Sequence, residues 1–207
     1  MVARGTGAAG RGSIGPMVEI TAPLETERLR LRLFKLQDVD DVHAYRSLPE
    51  VMRYLYDEPA SREDVEDIVI ARSTMTRLRL DGDGIALAIE RRADGRVIGE
   101  VTLRVRSAEH RQGEIGFLLH PEAQGQGFAR EAAGAMLDLA FGPVGLHRVY
   151  GRTDARNESS AALMRRLGMR QEAHLRENEV FKGAWGDELI FAVLEDEWRR
   201  LETGPGR

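Results

Sequence analysis

The stretch "GFLLHPEAQGQGFAREA", residues 116–132, restricts this chain more than any other. An apolar run of the kind that builds a strand ends at Leu119, a run of helix formers begins by Phe128, and between them Gly125 and Gly127 flank Gln126. Glycine enters the left-handed backbone region without steric cost, so the spacing predicts a strand that turns sharply into a helix and keeps the turn bare. The first turn of a helix has N–H groups without intrahelical partners and the positive end of the helix dipole. An anion is favoured there, and phosphate is the natural guest.

Two common phosphate loops fit poorly. A Walker-type loop needs Gly-Lys-Ser/Thr at its end, but Phe128-Ala129 follow Gly127. A dinucleotide fingerprint needs a third glycine where Arg130 stands. A third pattern, Gln/Arg-x-x-Gly-x-Gly/Ala, is met by Gln124, Gly127 and Ala129. A strand-to-helix turn that is merely rich in glycine is the alternative.

The chain has 207 residues, 42% hydrophobic and 31% charged, which suits one globular domain with a real core. A net charge of -4 and a pI near 5.8 lack the basic balance of a nucleic-acid binder, and the apolar runs are too short to span a bilayer. No nucleic-acid or membrane partner is expected. With no cysteine, disulfides, thiolate metal sites and an acyl-cysteine intermediate are excluded, and a reducing cytoplasm is the expected location. His43, His110, His120, His147 and His174 show no metal-ligand spacing, so no metal is expected.

Residues 27–35 alternate leucine with arginine, the period of a half-buried strand. Helical spacing follows near 39–45 and again from the capping pattern Ser61 to Asp64 through residue 80. Residues 84–106 read as two strands joined at Asp94-Gly95, and 113–119 as a third. A helix before Gly142-Pro143, a strand at 146–153, a short helix ending at Gly168, a strand at 169–176, and a last strand with a closing turn from 187 complete the order. That order predicts a mixed sheet with helices on both faces, in one domain over residues 21–202. Residues 1–20 are expected to be a disordered tail and 203–207 a disordered end.

With the strand before it, the glycine loop resembles the pyrophosphate-binding motif of the GNAT superfamily of N-acetyltransferases. Further along, "RTDARNESSAALMRRLGM" is similar to that family's second signature through Asn157, Ser160, Leu163 and Leu167-Gly168, with Met169 where an aromatic is usual. The start "LETERLRLRLFKLQDVDDV" and the ending "LRENEVFKGAWGDELIFAVLEDEW" resemble the RimJ/RimL-like, ribosomal-protein N-terminal acetyltransferase branch.

The resemblance implies a GNAT fold of the α/β (α+β) class, whose mixed sheet is splayed at its centre. It implies acetyl-CoA as cosubstrate, with the pantetheine arm in the splay against Phe117, Leu118 and Leu119 and the pyrophosphate on Gln124, Gly125, Gln126, Gly127, Phe128, Ala129 and Arg130. Asn157 would reach the pantetheine from the other side; Asn is also a favoured helix cap, and both roles are compatible. Many superfamily members serve the leaving thiolate with a Tyr where this chain has Met164. The RimJ/RimL-like branch offers Ser160 instead, or Ser160 is a small packing residue. Glu114 is the candidate base for the amine's proton, the alternatives being a solvated carboxylate and attack by an already neutral amine. Tyr54, Tyr56 and Trp185 would border the acceptor, while Arg104, Arg106 and Arg111 read as a solvated hairpin surface able to meet an acidic acceptor. The implied reaction is direct transfer in a ternary complex to a primary amine, either a protein N-terminus or a small-molecule amine. A catalytically silent acyl-CoA sensor or scaffold is the reading from another class, and a homodimer paired through the C-terminal strands is compatible with the resemblance.

Overall fold

A computed structural model describes residues 2–4 and 15–203 of the chain. Strands β1 (Val2–Arg4), β2 (Val18–Ile20) and β5 (Arg77–Leu78) form a small sheet in the order β1-β2-β5. The main sheet contains β3 (Leu24–Glu25), β4 (Leu29–Arg32), β6 (Gly84–Arg91), β7 (Val97–Ser107), β8 (Gln112–Leu119), β9 (Arg148–Asp154), β10 (Arg170–Phe181) and β11 (Ala184–Leu194). Its spatial order is β10-β11-β9-β8-β7-β6-β4-β3. The helices are α1 (Val39–Arg46), α2 (Pro49–Met52), α3 (Arg62–Ser73), α4 (Phe128–Phe141), α5 (Glu158–Arg166) and α6 (Glu195–Thr203).

Helices cover both faces of the sheet. On β6, Ile85, Leu87 and Ile89 join the apolar cluster that includes α4, while Ala86 and Ala88 join the second cluster, with α1 and α3. Burial on both faces explains why this strand reads as a continuous apolar run rather than an alternating one. The register that matters most is at the centre. The parallel pair β8 and β9 meet only at Gln112↔Arg148, Gly113↔Val149 and Glu114↔Tyr150. Beyond those rungs β8 stays paired with β7 as far as Leu119, and β9 stays paired with β11 as far as Asp154. The two halves of the sheet therefore part, as the splayed sheet requires.

Several expected boundaries move. Within the stretch expected to be a disordered tail, Val18–Ile20 form β2, with Val18 and Ile20 buried in the main core. Residues 1 and 5–14 of that tail, and 204–207 of the expected C-terminal end, lie outside the described residues. The helix expected to run to residue 80 stops at Ser73, because Leu78 is buried in the small sheet as part of β5. The closing turn is a helix, α6, whose first turn holds Glu195, Asp196 and Glu197, favourable at the positive end of the helix dipole. Its buried Trp198 donates to the Asp138 carboxylate at 2.8 Å and packs 6.4 Å from the Phe141 ring.

A buried charge network fastens α1 and α3 to β7. Glu100 accepts from Arg46 Nη2 at 2.5 Å and from the Tyr45 hydroxyl at 3.3 Å, and pairs with Arg72 at 3.1 Å. Burial alone would push the Glu100 carboxyl up, but the two guanidiniums outweigh it and hold the group below its ordinary value. Glu100 stands opposite Leu118 of β8, so the network fixes the helices beside the open end of the splay. Glu100→Ala would leave the Arg46 guanidinium buried without its counter-charge. A loss of about 3–5 kcal/mol is expected, read as a lower urea midpoint.

Candidate active site

Strand β8 runs through a single turn of 3-10 helix at Pro121–Ala123 into the glycine turn. Both expected glycines are left-handed, Gly125 at φ 74° and Gly127 at φ 83°. Open space surrounds the place where a Gly125 side chain would stand, whereas a Cβ on Gly127 would lie 3.3 Å from Arg28 Nη2. Gly127 caps α4 without any side-chain bond, so the N–H groups of Phe128, Ala129 and Arg130 face outward unclaimed by a cap. The two glutamines brace the backbone. Gln124 Nε2 donates to the Leu119 carbonyl at 3.2 Å, and Gln126 Nε2 to the Glu122 carbonyl at 2.6 Å.

The turn is held from outside by residues the sequence reading did not select. Glu131, in the first turn of α4, accepts from the Thr26 hydroxyl at 2.7 Å, the Arg28 amide at 2.8 Å and Arg28 Nε at 2.7 Å. Arg28 Nη1 also donates to the Gln126 carbonyl at 2.9 Å, and its guanidinium lies 4.6 Å from the centre of the Phe128 ring. Burial disfavours the charged Glu131, yet the bonds from Thr26 and Arg28 prevail and lower its pKa. From Arg28 and Gly127 a groove of about 890 Å³ follows α4 towards Arg165, Arg166 and Trp198.

Along the splay, backbone direction follows from the ladder. The His120 amide donates to the Ile98 carbonyl beside β7, so by strand alternation the N–H and C=O groups of Leu119 and Phe117 point the other way, into the gap. Leu119 is buried and Phe117 half-buried on the α4 side, with Leu118 against the α1 and α3 cluster. Across the gap, Asn157 caps α5, its Oδ1 accepting from the Ser160 amide at 3.1 Å. Ser160 is half-buried in the first turn of α5. Met164 is 1% exposed, and its Sδ is 2.8 Å from where a Gly151 side chain would begin, so glycine on β9 makes room for it.

On the other face of the sheet, charged groups converge. Glu114 accepts from Arg106 Nε at 2.6 Å and Arg152 Nε at 3.2 Å; Arg152 Nη1 also lies 3.2 Å from Glu188. Glu188 is 7% exposed and accepts from Asn178 at 3.3 Å. Burial raises the Glu188 carboxyl above its ordinary value, with Arg152 opposing and the Glu179 and Glu114 charges adding to the rise. Tyr56 donates to Glu179 and meets the Phe181 ring edge-on at 5.5 Å. Burial of its hydroxyl end and then the Glu179 bond push the phenol up to about 12. Tyr56 thus joins the cluster; Tyr54 stacks with Arg53, and Trp185 stands 63% exposed, neither bonded to it among the described residues. The sequence reading passed over Arg152, Asn178, Glu179 and Glu188, which no local motif distinguishes from solvated charge.

These features are those of a transferase that draws on a CoA thioester, and comparison with known proteins agrees. The profile of the family described as "Acetyltransferase (GNAT) domain" matches residues 28–170. The chain is 30% identical over 176 residues to the uncharacterized N-acetyltransferase YnaD of Bacillus subtilis (strain 168), covering 84% of this chain and 98% of that one. It is 25% identical over 183 residues to the spermidine N(1)-acetyltransferase of Escherichia coli (strain K12), covering 86% and 92%. The crystal structure of a GNAT-family acetyltransferase from Bacillus anthracis superposes with a TM-score of 0.76 at 27% identity, covering 84% of this chain and 99% of that one. The chain belongs to the GNAT acetyltransferase family and is an acetyl-CoA-dependent N-acetyltransferase.

Replacing Glu131 by Gln is expected to lower stability by about 1.5–3 kcal/mol near neutral pH, the size of charged hydrogen bonds. Because the folded Glu131 pKa is depressed, its contribution is present above the unfolded value of about 4.3 and fades as pH falls through the folded value. Urea midpoints of the two proteins should converge on acidification.

Proposed function

We propose that this chain moves the acetyl group of acetyl-CoA directly to a primary amine, a protein N-terminus or a small-molecule amine, within a ternary complex, and that it stands with the RimJ/RimL-like branch. The observation that carries this reading is the three-rung contact of β8 with β9, which opens a gap just before an uncapped helix end. The residues fit the cosubstrate: the space at Gly125 is open, and the outward N–H groups of α4 suit an anion. Phe117 and Leu119 offer backbone pairing to the pantetheine amides, with Leu118 between them; residues 124–130 hold the pyrophosphate, and the side-chain amide of Asn157 donates from the far side. Exposed Arg130 and Arg166 border the groove beside α4 and suit the remaining phosphate.

Bound there, acetyl-CoA supplies an activated thioester. The Leu119 N–H polarises the carbonyl, and Ser160 donates to the departing sulfur, for which the buried Met164 has no proton. Glu114 receives the amine's proton through water. It shares Arg152 with Glu188, whose raised proton affinity suits it to keep that proton. Tyr56, Tyr54 and Trp185 border the acceptor. Residues 21–202, together with β2, form the acting unit, a reducing cytoplasm suits a chain without cysteine, and the β10 edge is available for a homodimer.

Acetyl-CoA and CoA should raise the thermal midpoint, since a ligand at about a hundred times its Kd adds roughly 2.7 kcal/mol, while NAD and ATP should not. Gly127→Val, with a β-branched residue forced into the left-handed region, should abolish the shift. Absence of any CoA shift in the unaltered protein would defeat the reading. In the pH profile of kcat/KM, the acid limb should lie above the roughly 4.3 of a free Glu, because the raised Glu188 must lose its proton before it can accept another. Glu188→Gln should move that limb.

A further inference from the structure

Of the three arginines on the hairpin surface, only Arg104 is left free to meet a ligand. Arg111 turns away to the Gly145 carbonyl at 2.6 Å and to Glu195 at 3.1 Å. Arg106 is committed to Glu114. Arg104 stands directly across from Glu114 in the β7–β8 register, yet Arg106 and Arg152 take both Glu114 oxygens. Among the described residues no ion pair or hydrogen bond engages the Arg104 guanidinium.

Arg104 lines an open cleft of about 190 Å³ with Thr102, Arg106, Glu114 and Gly116. Gly116 faces Thr102 across the ladder, and a side chain there would strike the Thr102 hydroxyl at 2.9 Å. Glycine there leaves room for the Thr102 hydroxyl, which lies over the strand between Arg104 and Phe117, whose backbone groups face the splay. A rise of about 3.4 Å per residue and about 4.8 Å between strands put the Arg104 Cα on the order of 8 Å from that of Gly116. That is about two extended residues, part of which the Arg104 side chain itself spans. The cleft thus carries, side by side, a guanidinium with no bonded partner among the described residues and the Glu114 carboxylate, which Arg152 links to Glu188 behind it. A guanidinium binds a carboxylate through a planar fork and repels a second ammonium.

We propose that the acceptor is an amine carrying a carboxylate within about two residues' length, a short peptide with an acidic second residue or an acidic amino acid, and that Arg104 binds this carboxylate. The inference rests on the acetyltransferase reading. It separates this chain from an enzyme adapted to polyamines, whose second positive charge would meet Arg104.

The test measures CoA thiol release from acetyl-CoA with aspartate, glutamate, Ala-Asp, Ala-Ala-amide and spermidine as acceptors. The expected result is a higher kcat/KM for the acidic acceptors than for Ala-Ala-amide or spermidine. Arg104→Gln should lower the ratio of Ala-Asp to Ala-Ala-amide kcat/KM by at least about tenfold, the size of a charged hydrogen bond, mainly through KM. Arg104→Lys should restore part of it. Preference for spermidine in the unaltered protein, or an unchanged ratio in Arg104→Gln, overturns the inference while leaving the transferase reading intact. No turnover with any amine, together with no thermal shift by CoA, overturns both.

Discussion

The short contact between β8 and β9 is the constraint on which the rest of the active site depends. Had the ladder continued beyond Glu114↔Tyr150, every backbone group of the two central strands would have had a partner. Because it stops, the gap-facing N–H and C=O groups of Phe117 and the N–H of Leu119 are left to water or to a ligand. Packing keeps the strands apart. Met164 fills the space over Gly151 on the β9 side, Phe117 packs on the core with α4, and Gln124 already takes the Leu119 carbonyl. The opening is thus built into the apolar core and does not have to be made by the incoming ligand.

Charge holds the two rims of that opening. At the glycine turn, Glu131 ties α4 to the turn before β4 through Thr26 and Arg28, and Arg28 reaches on to the Gln126 carbonyl. A carboxylate in the first turn of a helix is itself favourable, so the brace works with the helix dipole rather than against it. On the opposite face of the sheet, Glu100 gathers Arg46 and Arg72 into the apolar contact of α1 and α3 with β7. A lone buried carboxylate would be costly; with two guanidiniums and the Tyr45 hydroxyl it becomes a fastening that requires all its partners. The two networks do similar mechanical work through different amounts of burial, and the deeper one is correspondingly harder to alter.

What was legible in the sequence was local. The left-handed Gly125 and Gly127, the cap at Asn157, the capping box of Ser61 with Asp64 and the Asp94-Gly95 turn are each decided by a few neighbouring residues, and all could be read directly. Helix α6 was missed because its stabilising partner, Asp138, lies on α4 rather than nearby in the chain. Strands β2 and β5 were missed because each has only a few residues and finds its partner across a long separation. The brace from Arg28 to Glu131 joins groups 103 residues apart, and Arg152 meets Glu114 at a separation of 38; periodicity carries no trace of such meetings. Glu188 looked like one acid among many at the head of a strand, and only burial distinguishes it.

That distinction shows in the partners of the two carboxylates on Arg152. Glu114 and Glu188 both bond Arg152, but Glu114 has a second guanidinium in Arg106, while Glu188 has the neutral amide of Asn178 and lies deeper. Burial raises the Glu188 carboxyl above its ordinary value, with the Arg152 charge opposing the rise. The cation between the two carboxylates keeps both side chains in place. This contrast in burial needs no residue of unusual type. It needs only that one glutamate of the pair lie behind Arg152, which the register of β11 against β9 secures by setting Glu188 opposite Asp154.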